Sequence, residues 1–439
     1  MRHKLLRIVS LITLAAIVLP LTSCAFASSL IYGKYKLSGD SSESKARFAD
    51  DVLTLGQKGS GKCIEAFTID INSPDGKDIS IAYRSHIQDA GWYDWAPGGQ
   101  EITYAQYYGI DTIQFMLMGK DAGMFDIEYR IAVVGEDWQE WVSNGTIAGI
   151  PEVHRPIEAV EIKLVQNDSY VPAAWTITEF DDVQGNQGMF YTMRNNEDGT
   201  LIVVDGGHAE NTTQVRSVIN LMGGRVDHWF LTHYDEDHAC VFNEIYADPD
   251  GIEIGEVYAT PLDYDYYMTF AVERWWDTPW VYEQFLSQTE GDERIHYLAR
   301  DDVFEIDGLT VEVFNSYDDI VIGTGSPDVA NFASLVFKIS GQEDSILFCG
   351  DVYGQLWVLL TEMYGDRLAA RYVQPGHHGN NHVDSEYWSV VNADVMFFDG
   401  PSWLTTSDDH DAKRLIEWCH SNGIETYEFA TAPNWVAFN

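Results

Sequence analysis

His228-Trp229-Phe230-Leu231-Thr232-His233-Tyr234-Asp235-Glu236-Asp237-His238 decides how this chain is read. The first four residues form a run of buried-strand character. It empties into two histidines and two aspartates within six positions. The C-terminal end of a buried strand is where α/β folds place their sites. In an extended turn His233 and Asp235, two apart, point the same way and can clamp one ion. Asp237 and His238, at the start of a helix, can clamp a second. Two ions held side by side activate a water and neutralise charge on a transferring group.

The pattern repeats on either side. Leu201-Ile202-Val203-Val204 is a continuous apolar run ending in Asp205-Gly206-Gly207-His208, and a helix is predicted over 211–222 with Gly223-Gly224 as its stop. Phe304 to Val313 reads as a hairpin, Ile346-Leu347-Phe348 ends in Cys349-Gly350-Asp351, and Pro375-Gly376-His377-His378-Gly379 follows. Strands alternating with helices predict an α/β layer fold over 172–439. In this order the motifs resemble the metallo-β-lactamase superfamily, whose signature is His-x-His-x-Asp-His. Asp235 stands where the second histidine of that signature falls. This departure is similar to the branch holding the hydrolase domain of competence DNA-uptake proteins and the phosphorylcholine esterases.

The resemblance implies an αββα sandwich and hydrolysis with two divalent metal ions, zinc first and manganese as the alternative. His233 and Asp235 would hold the first ion, Asp237 and His238 the second, and Asp351 would bridge them. One of His377 and His378 would complete the second site. Asp237 is also expected at the reacting centre. The family's third-motif histidine has one candidate here, His296, expected to lie outside the site; Asn331 or a water would take its place. His410, at a helix start, either lines the cleft as an oxyanion or leaving-group partner or is a surface histidine. His208 either supports the ligands or does nothing. Cys240 and Cys349 read as small buried residues, and Cys63 and Cys419 as unpaired.

Between the motifs lies an aromatic insert of Tyr264, Tyr266, Tyr267, Phe270, Trp275, Trp276, Trp280, Tyr282 and Phe285. Most are expected in helix core, with some forming a lid. Aromatic faces among acids suit a cationic group such as choline.

The N-terminal part is repetitive. Ile81-Ala82-Tyr83-Arg84 recurs as Ile127-Glu128-Tyr129-Arg130, and Trp92-x-x-Trp95 as Trp138-x-x-Trp141, both at an offset of 46. Ile64-Glu65-Ala66, Ile110-Asp111-Thr112 and Ile157-Glu158-Ala159 are a third, partial echo. Their alternation predicts strands in a small all-β domain over 28–166 with pseudo-threefold arrangement. These residues resemble the clostridial hydrophobic (ChW) repeat, which implies attachment to a cell-surface polymer or protein, or docking to the substrate. Trp92 and Trp138 are expected to fill the units. Trp95 and Trp141 are open between core and binding surface.

Residues 1–24 carry Arg2, Lys4 and Arg7 ahead of an apolar stretch that ends in Leu21-Thr22-Ser23-Cys24. This is the pattern of an export signal with a lipobox; cleavage after Ala25-Phe26-Ala27 is the alternative. The expected product is extracellular and held at the membrane only by lipid on Cys24, or else secreted. Over 439 residues the formal net charge is −43, which opposes non-specific nucleic-acid binding through phosphates. The expected activity is hydrolysis of a small-molecule or cell-surface phosphodiester, with lactone, amide or other ester substrates as rivals. A surface adhesin with an inactive hydrolase domain is the non-enzymatic rival. Every expected ligand lies in 172–439, so that segment is expected to fold and act without the repeats.

Overall fold

The computed structural model describes residues 30–103, 109–151, 154–271 and 276–439. The export signal, Cys24 and Trp275 lie outside the described residues. No helix among the described residues is long and apolar enough to cross a membrane.

Residues 30–166 form three antiparallel sheets around one core. Each is built on a long ribbon: β1 (Ile31–Leu37) with β3 (Ile64–Ile71), β4 (Ser80–Ile87) with β6 (Ile110–Met118), and β7 (Phe125–Val133) with β9 (Ile157–Gln166). Short strands lock the three together in a ring. β2 (Val52–Gly56) of the first unit pairs with β9 of the third, β5 (Ile102–Thr103) pairs with β3, and β8 (Ala148–Gly149) pairs with β6. Each unit therefore lends a strand to the unit before it, which produces the pseudo-threefold. Apolar alternate positions such as Ile64, Ile69, Ile81, Ile127 and Ile162 point into the shared core. Phe67, Tyr83, Phe115 and Tyr129 stack through it at centroid distances of 4.9–6.4 Å.

The remaining residues form two seven-stranded sheets packed face to face. The first is β10 (Trp175–Glu179), β11 (Phe190–Asn195), β12 (Leu201–Asp205), β13 (Arg225–Leu231), β14 (Glu253–Ala259) and β15 (Ile295–Tyr297), with the C-terminal strand β23 (Asn434–Phe438) on the edge beside β10. The second runs in chain order: β16 (Val303–Ile306), β17 (Leu309–Asn315), β18 (Val336–Ser340), β19 (Ser345–Phe348), β20 (Tyr372–Gln374), β21 (Val395–Phe398) and β22 (Glu425–Glu428). Between the sheets lies an apolar layer that includes Tyr191, Ile202, Phe230, Val311, Phe337, Phe348 and Phe397. Helices α1 (Thr212–Leu221), α2 (Glu236–Ala247) and α4 (Pro279–Thr289) cover the first sheet, with α3 (Tyr264–Ala271) beside them. α5 (Gly354–Tyr364) and α6 (Asp411–Ser421) cover the second. This is the αββα sandwich. β12 is buried on both faces, which is why its sequence is a continuous rather than an alternating apolar run.

The two parts share a core, against the expectation of independent halves. Ala82, Trp95 and Met116 of the repeats belong to the same apolar cluster as Phe180, Phe190, Leu201 and Val215. Trp95 is 3% exposed. Gly145 abuts Pro433 so closely that a Cβ there would lie 2.6 Å from the ring. Trp92 and Trp138, expected as core, are half-buried and instead lie on the arginine of their own unit. Arg84 Cζ is 4.6 Å from Trp92 and 4.9 Å from Trp95; Arg130 Cζ is 5.0 Å from Trp138 and 4.6 Å from Trp141.

Candidate metal centre

The C-terminal ends of β12, β13, β19, β20 and β21 meet in one place, and each delivers polar side chains there. β13 ends in Thr232-His233, after which Asp235 precedes α2 and Asp237 and His238 occupy its first turn. β19 delivers Asp351, β20 delivers His377 and His378, and β21 delivers Asp399. Asp205, His377 and His378 hold left-handed backbones with φ of 54°, 55° and 55°, conformations that persist only where surrounding structure enforces them. Gly376 is required there, since a Cβ would lie 2.0 Å from the Val352 carbonyl oxygen.

Asp237, His238, Asp351 and His378 are all buried, and each offers a ligand atom within 4.8 Å of the others. His238 Nε2 lies 3.2 Å from Asp351 Oδ1, and His378 Nε2 lies 3.3 Å from Asp237 Oδ2 and 3.6 Å from Asp351 Oδ2. Yet His238 Nε2, His378 Nε2 and Asp351 Oδ1 have no hydrogen-bond partner of acceptable geometry. Buried polar atoms left this way are costly unless a cation meets them. The donor set, two imidazole nitrogens and carboxylate oxygens, suits zinc or another first-row divalent ion. His233 Nε2 and Asp235 Oδ1, beside this group, are likewise buried without a partner; His233 Nε2 is 3.5 Å from Asp235 Oδ2. The residues present therefore fit an ion at the four-residue group, with His233 and Asp235 as two further ligand candidates beside it.

The other nitrogen of each ring is held. Asp205 Oδ2 is 2.7 Å from His238 Nδ1, and the same carboxylate accepts from the Thr232 N–H at 2.7 Å and the Thr232 hydroxyl at 2.6 Å. Asp399 Oδ1 is 3.2 Å from His378 Nδ1. A carboxylate on Nδ1 puts the proton there and turns the Nε2 lone pair inward. His377 differs: its Nδ1 donates to the Asn380 carbonyl at 2.8 Å, and its Nε2 is 4.0 Å from Asp351. Of the two histidines, His378 joins the four-residue group and His377 lines the cleft beside it.

Charges in the group are interdependent. Burial alone would lower the imidazolium of His238, but Asp351 and Asp237 outweigh it and hold the ring well above its ordinary value. Burial opposes the charge on His378 too, and Asp351 and Asp399 raise it to about 10. Burial pushes the Asp237 and Asp351 carboxyls up, and the same histidines bring both below the usual carboxylate range. Asp235 is raised by burial, with His233 offsetting only part of the effect. Ion binding here must displace protons from imidazoles.

The cleft over this group has a volume of about 460 Å³. Among the described residues its lining holds Asp235, Glu236, Asp237, Asp328 and Asp351, and no lysine or arginine. Asn331 lines it with a buried Oδ1 that has no partner. His208 is also in the lining. His296 is half-exposed and 2.5 Å from Glu256, outside the site. His410 precedes α6 with its ring 5.6 Å from Trp403 and does not line the cleft; His382 does. The aromatic insert is divided: Tyr267, Tyr282 and Phe285 are buried, with Tyr282 4.3 Å from Tyr234, Tyr266 and Phe270 pack partly buried against the same core, and Tyr264, Trp276 and Trp280 are exposed; Trp276 alone of the insert's described residues lines the cleft. Cys240, Cys349 and Cys419 are buried and, with Cys63, are free thiols.

Sequence reading missed Asp328, His382 and Asp399. Asp399 had the same signal as Asp205, an apolar strand (Val395–Phe398) running into Asp-Gly. Asp328 and His382 sit in loops with no such punctuation.

Residues 133–166 match the clostridial hydrophobic W family model, and residues 183–356 match that of the metallo-beta-lactamase superfamily. No curated protein matches the chain. Among solved structures the chain is similar to the metallo-beta-lactamase fold protein YhfI from Bacillus subtilis, at 11% identity over 60% of this chain and 98% of that one, with a TM-score of 0.38. It is also similar to CmlA, a diiron β-hydroxylase from Streptomyces venezuelae, at 12% identity over 61% of this chain and 55% of that one, with a TM-score of 0.38. A metallo-beta-lactamase from Staphylococcus aureus subsp. aureus COL is similar at 13% identity over 48% and 58% of the two chains, with a TM-score of 0.31.

Proposed function

We propose that this chain, which carries a metal-dependent hydrolase domain of the metallo-beta-lactamase superfamily next to a ChW repeat, cleaves a phosphodiester outside the cell. One observation carries the reading: Asp237, His238, Asp351 and His378 converge, and His238 Nε2, Asp351 Oδ1 and His378 Nε2 are buried there without a hydrogen-bond partner. His233, Asp235, Asp237, His238, Asp351 and His378 would hold two divalent ions, zinc or manganese. When bound, such ions polarise a phosphoryl oxygen and lower the pKa of a water to near neutrality.

The chain's own residues do the rest. Asp205 and Asp399 hold His238 and His378 in the tautomer that faces the cleft. With no lysine or arginine in the described lining, a phosphodiester would take its charge compensation mainly from the ions at the centre. Trp276 among acids would receive a cationic leaving group such as choline. His382, in the lining where His410 is not, is kept neutral by burial and by His377 beside it, and would accept a proton there rather than supply one. The export signal and Cys24 would anchor the protein at the membrane, and the repeats would bind a surface polymer or protein.

The test is a substrate panel on zinc- and manganese-loaded protein: bis-p-nitrophenyl phosphate, p-nitrophenyl phosphorylcholine, single-stranded DNA and a lactone. Turnover of a phosphodiester that chelation abolishes supports the reading. Turnover of the lactone alone overturns the phosphodiester assignment, and no turnover of any substrate favours a binding protein.

A further inference from the structure

The three repeat units are related, but their arginines are used differently. Arg130 of the third unit is neutralised inside its own ribbon, where Glu161 accepts from its Nε at 2.8 Å. The matching position in the second unit is Gln114, which accepts from Arg84 Nε at 2.6 Å but carries no charge. Arg84, 1% exposed between Trp92 and Trp95, therefore needs a carboxylate from elsewhere. Asp181 of the hydrolase domain supplies it, with oxygens 2.8 and 2.9 Å from the guanidinium. One residue, Gln114 in place of glutamate, makes this unit the joint between the two parts.

Asp181 begins the loop that runs to the metal centre. The next residue, Asp182, accepts from the Gln184 and Asn186 N–H groups at 2.7 and 3.0 Å and from Asn211 Nδ2 at 2.7 Å. Asn211 in turn accepts from the Val183 N–H and packs on Gly207, whose N–H donates to the His238 carbonyl. At the far end the Gly188 N–H donates to the Asp399 carbonyl at 3.3 Å and the Met189 N–H to the Asp237 carbonyl at 3.0 Å. Gln187 lies in the cleft lining. The loop thus links Arg84 of the repeats to the backbones of Asp237 and Asp399 and, through Asn211 and Gly207, to that of His238.

We propose that Arg84 is a positioning residue for the metal centre: by clamping Asp181 it fixes the 181–189 loop, which holds Asp237, His238 and Asp399 in place and presents Gln187 to the cleft. The repeats are then part of the catalytic apparatus as well as an attachment module. This rests on the reading of the cleft as a metal centre. A charged hydrogen bond closing a loop gives that loop its order, and its loss shows first as local opening.

The experiment measures amide exchange on the metal-free full chain, and zinc affinity, in wild type, Arg84→Gln, Arg84→Lys, Asp181→Asn and Arg130→Gln. Arg84→Gln and Asp181→Asn should each speed exchange at Gly188 and Met189 about tenfold, the effect of losing one charged hydrogen bond, and should weaken zinc binding. Arg84→Lys, which keeps the charge, should recover part of both. Arg130→Gln breaks the equivalent pair in the third unit and should move neither. Asp181→Asn keeps the side-chain volume and every residue of the repeats, and decides alone if Arg84→Gln does not fold. Unchanged exchange in Asp181→Asn, or an equal rise in Arg130→Gln, overturns the proposal. Exchange is read without metal or substrate, so an inactive protein with the expected exchange pattern would refute the hydrolase reading and leave the loop assignment standing.

Discussion

Asp205 has three donors on one carboxylate, and one of them fixes the tautomer of His238. Asp205→Asn keeps the volume but replaces an acceptor oxygen with a donor group, so the ring loses its lock. Metal affinity or turnover should fall about 10–100-fold, as for such supporting carboxylates generally. Asp399→Asn acts on His378 through a longer contact and should cost less. His296→Ala should change neither, because the ring pairs with Glu256 away from the cleft. Metal content and rate on the three variants check this order. At this scale the sequence was informative wherever an apolar strand ran straight into a polar residue, as at His233, Asp351 and Asp205. It could not reveal that Thr232 and His238 share Asp205, because that contact closes across β12 and β13. Nor could it separate His377 from His378; the left-handed turn at 377–378, which directs the rings, depends on Gly376 passing within contact of Val352.

Elements are held together by close approaches that side chains would block. Gly56 ends β2 where it crosses β9, with φ of +77° and a virtual Cβ 2.1 Å from the Glu158 carbonyl oxygen. Gly149 repeats the arrangement on β6, with φ of +111° and 2.2 Å to the Asp111 carbonyl oxygen. Gly56→Ala should therefore open the strand that joins the first unit to the third, at a cost of about 1–3 kcal/mol. Gly59→Ala, at similar φ but with nothing within 4 Å, should cost about 1 kcal/mol or less. Urea midpoints of the two variants measure the difference, and equal shifts would refute the closure argument. The repeat offset of 46 disclosed three ribbons, since alternation is local. The lending of a short strand to the neighbouring unit was hidden, because two-residue pairings such as Ala148–Gly149 on β6 leave no periodic trace.

For the whole molecule, the shared core between the repeats and the first sheet governs stability. Trp95 is buried among residues of both parts, and Trp95→Ala should cost about 3–5 kcal/mol, the range for large aromatic truncations. One unfolding transition should be seen by both tryptophan fluorescence and far-UV dichroism in the full chain. A fragment of residues 172–439 should bind a hydrophobic dye, because Phe180 and its neighbours lose their cover; a fragment as stable as the full chain would contradict this. Sequence suggested separable halves because every ligand lies beyond residue 172. The contacts that tie them, Arg84 to Asp181 and Gln114 to the Ala432 carbonyl, span 97 and 318 positions and carry no local signature. Anchoring belongs to this scale as well. Wild-type protein should fractionate with membranes and Cys24→Ala should not; a soluble wild-type protein beginning at Ser28 would refute the lipid anchor.

The central claim is that two ions occupy the cluster at the strand ends, and metal stoichiometry tests it most directly. Full-length protein loaded with zinc and freed of excess should retain two equivalents. Asp351→Ala, which removes the carboxylate expected to bridge the two ions, should retain fewer than Asp237→Ala and lose nearly all turnover. Wild-type protein that binds no zinc or manganese, or an Asp351→Ala protein that keeps two equivalents and full activity, would contradict the account.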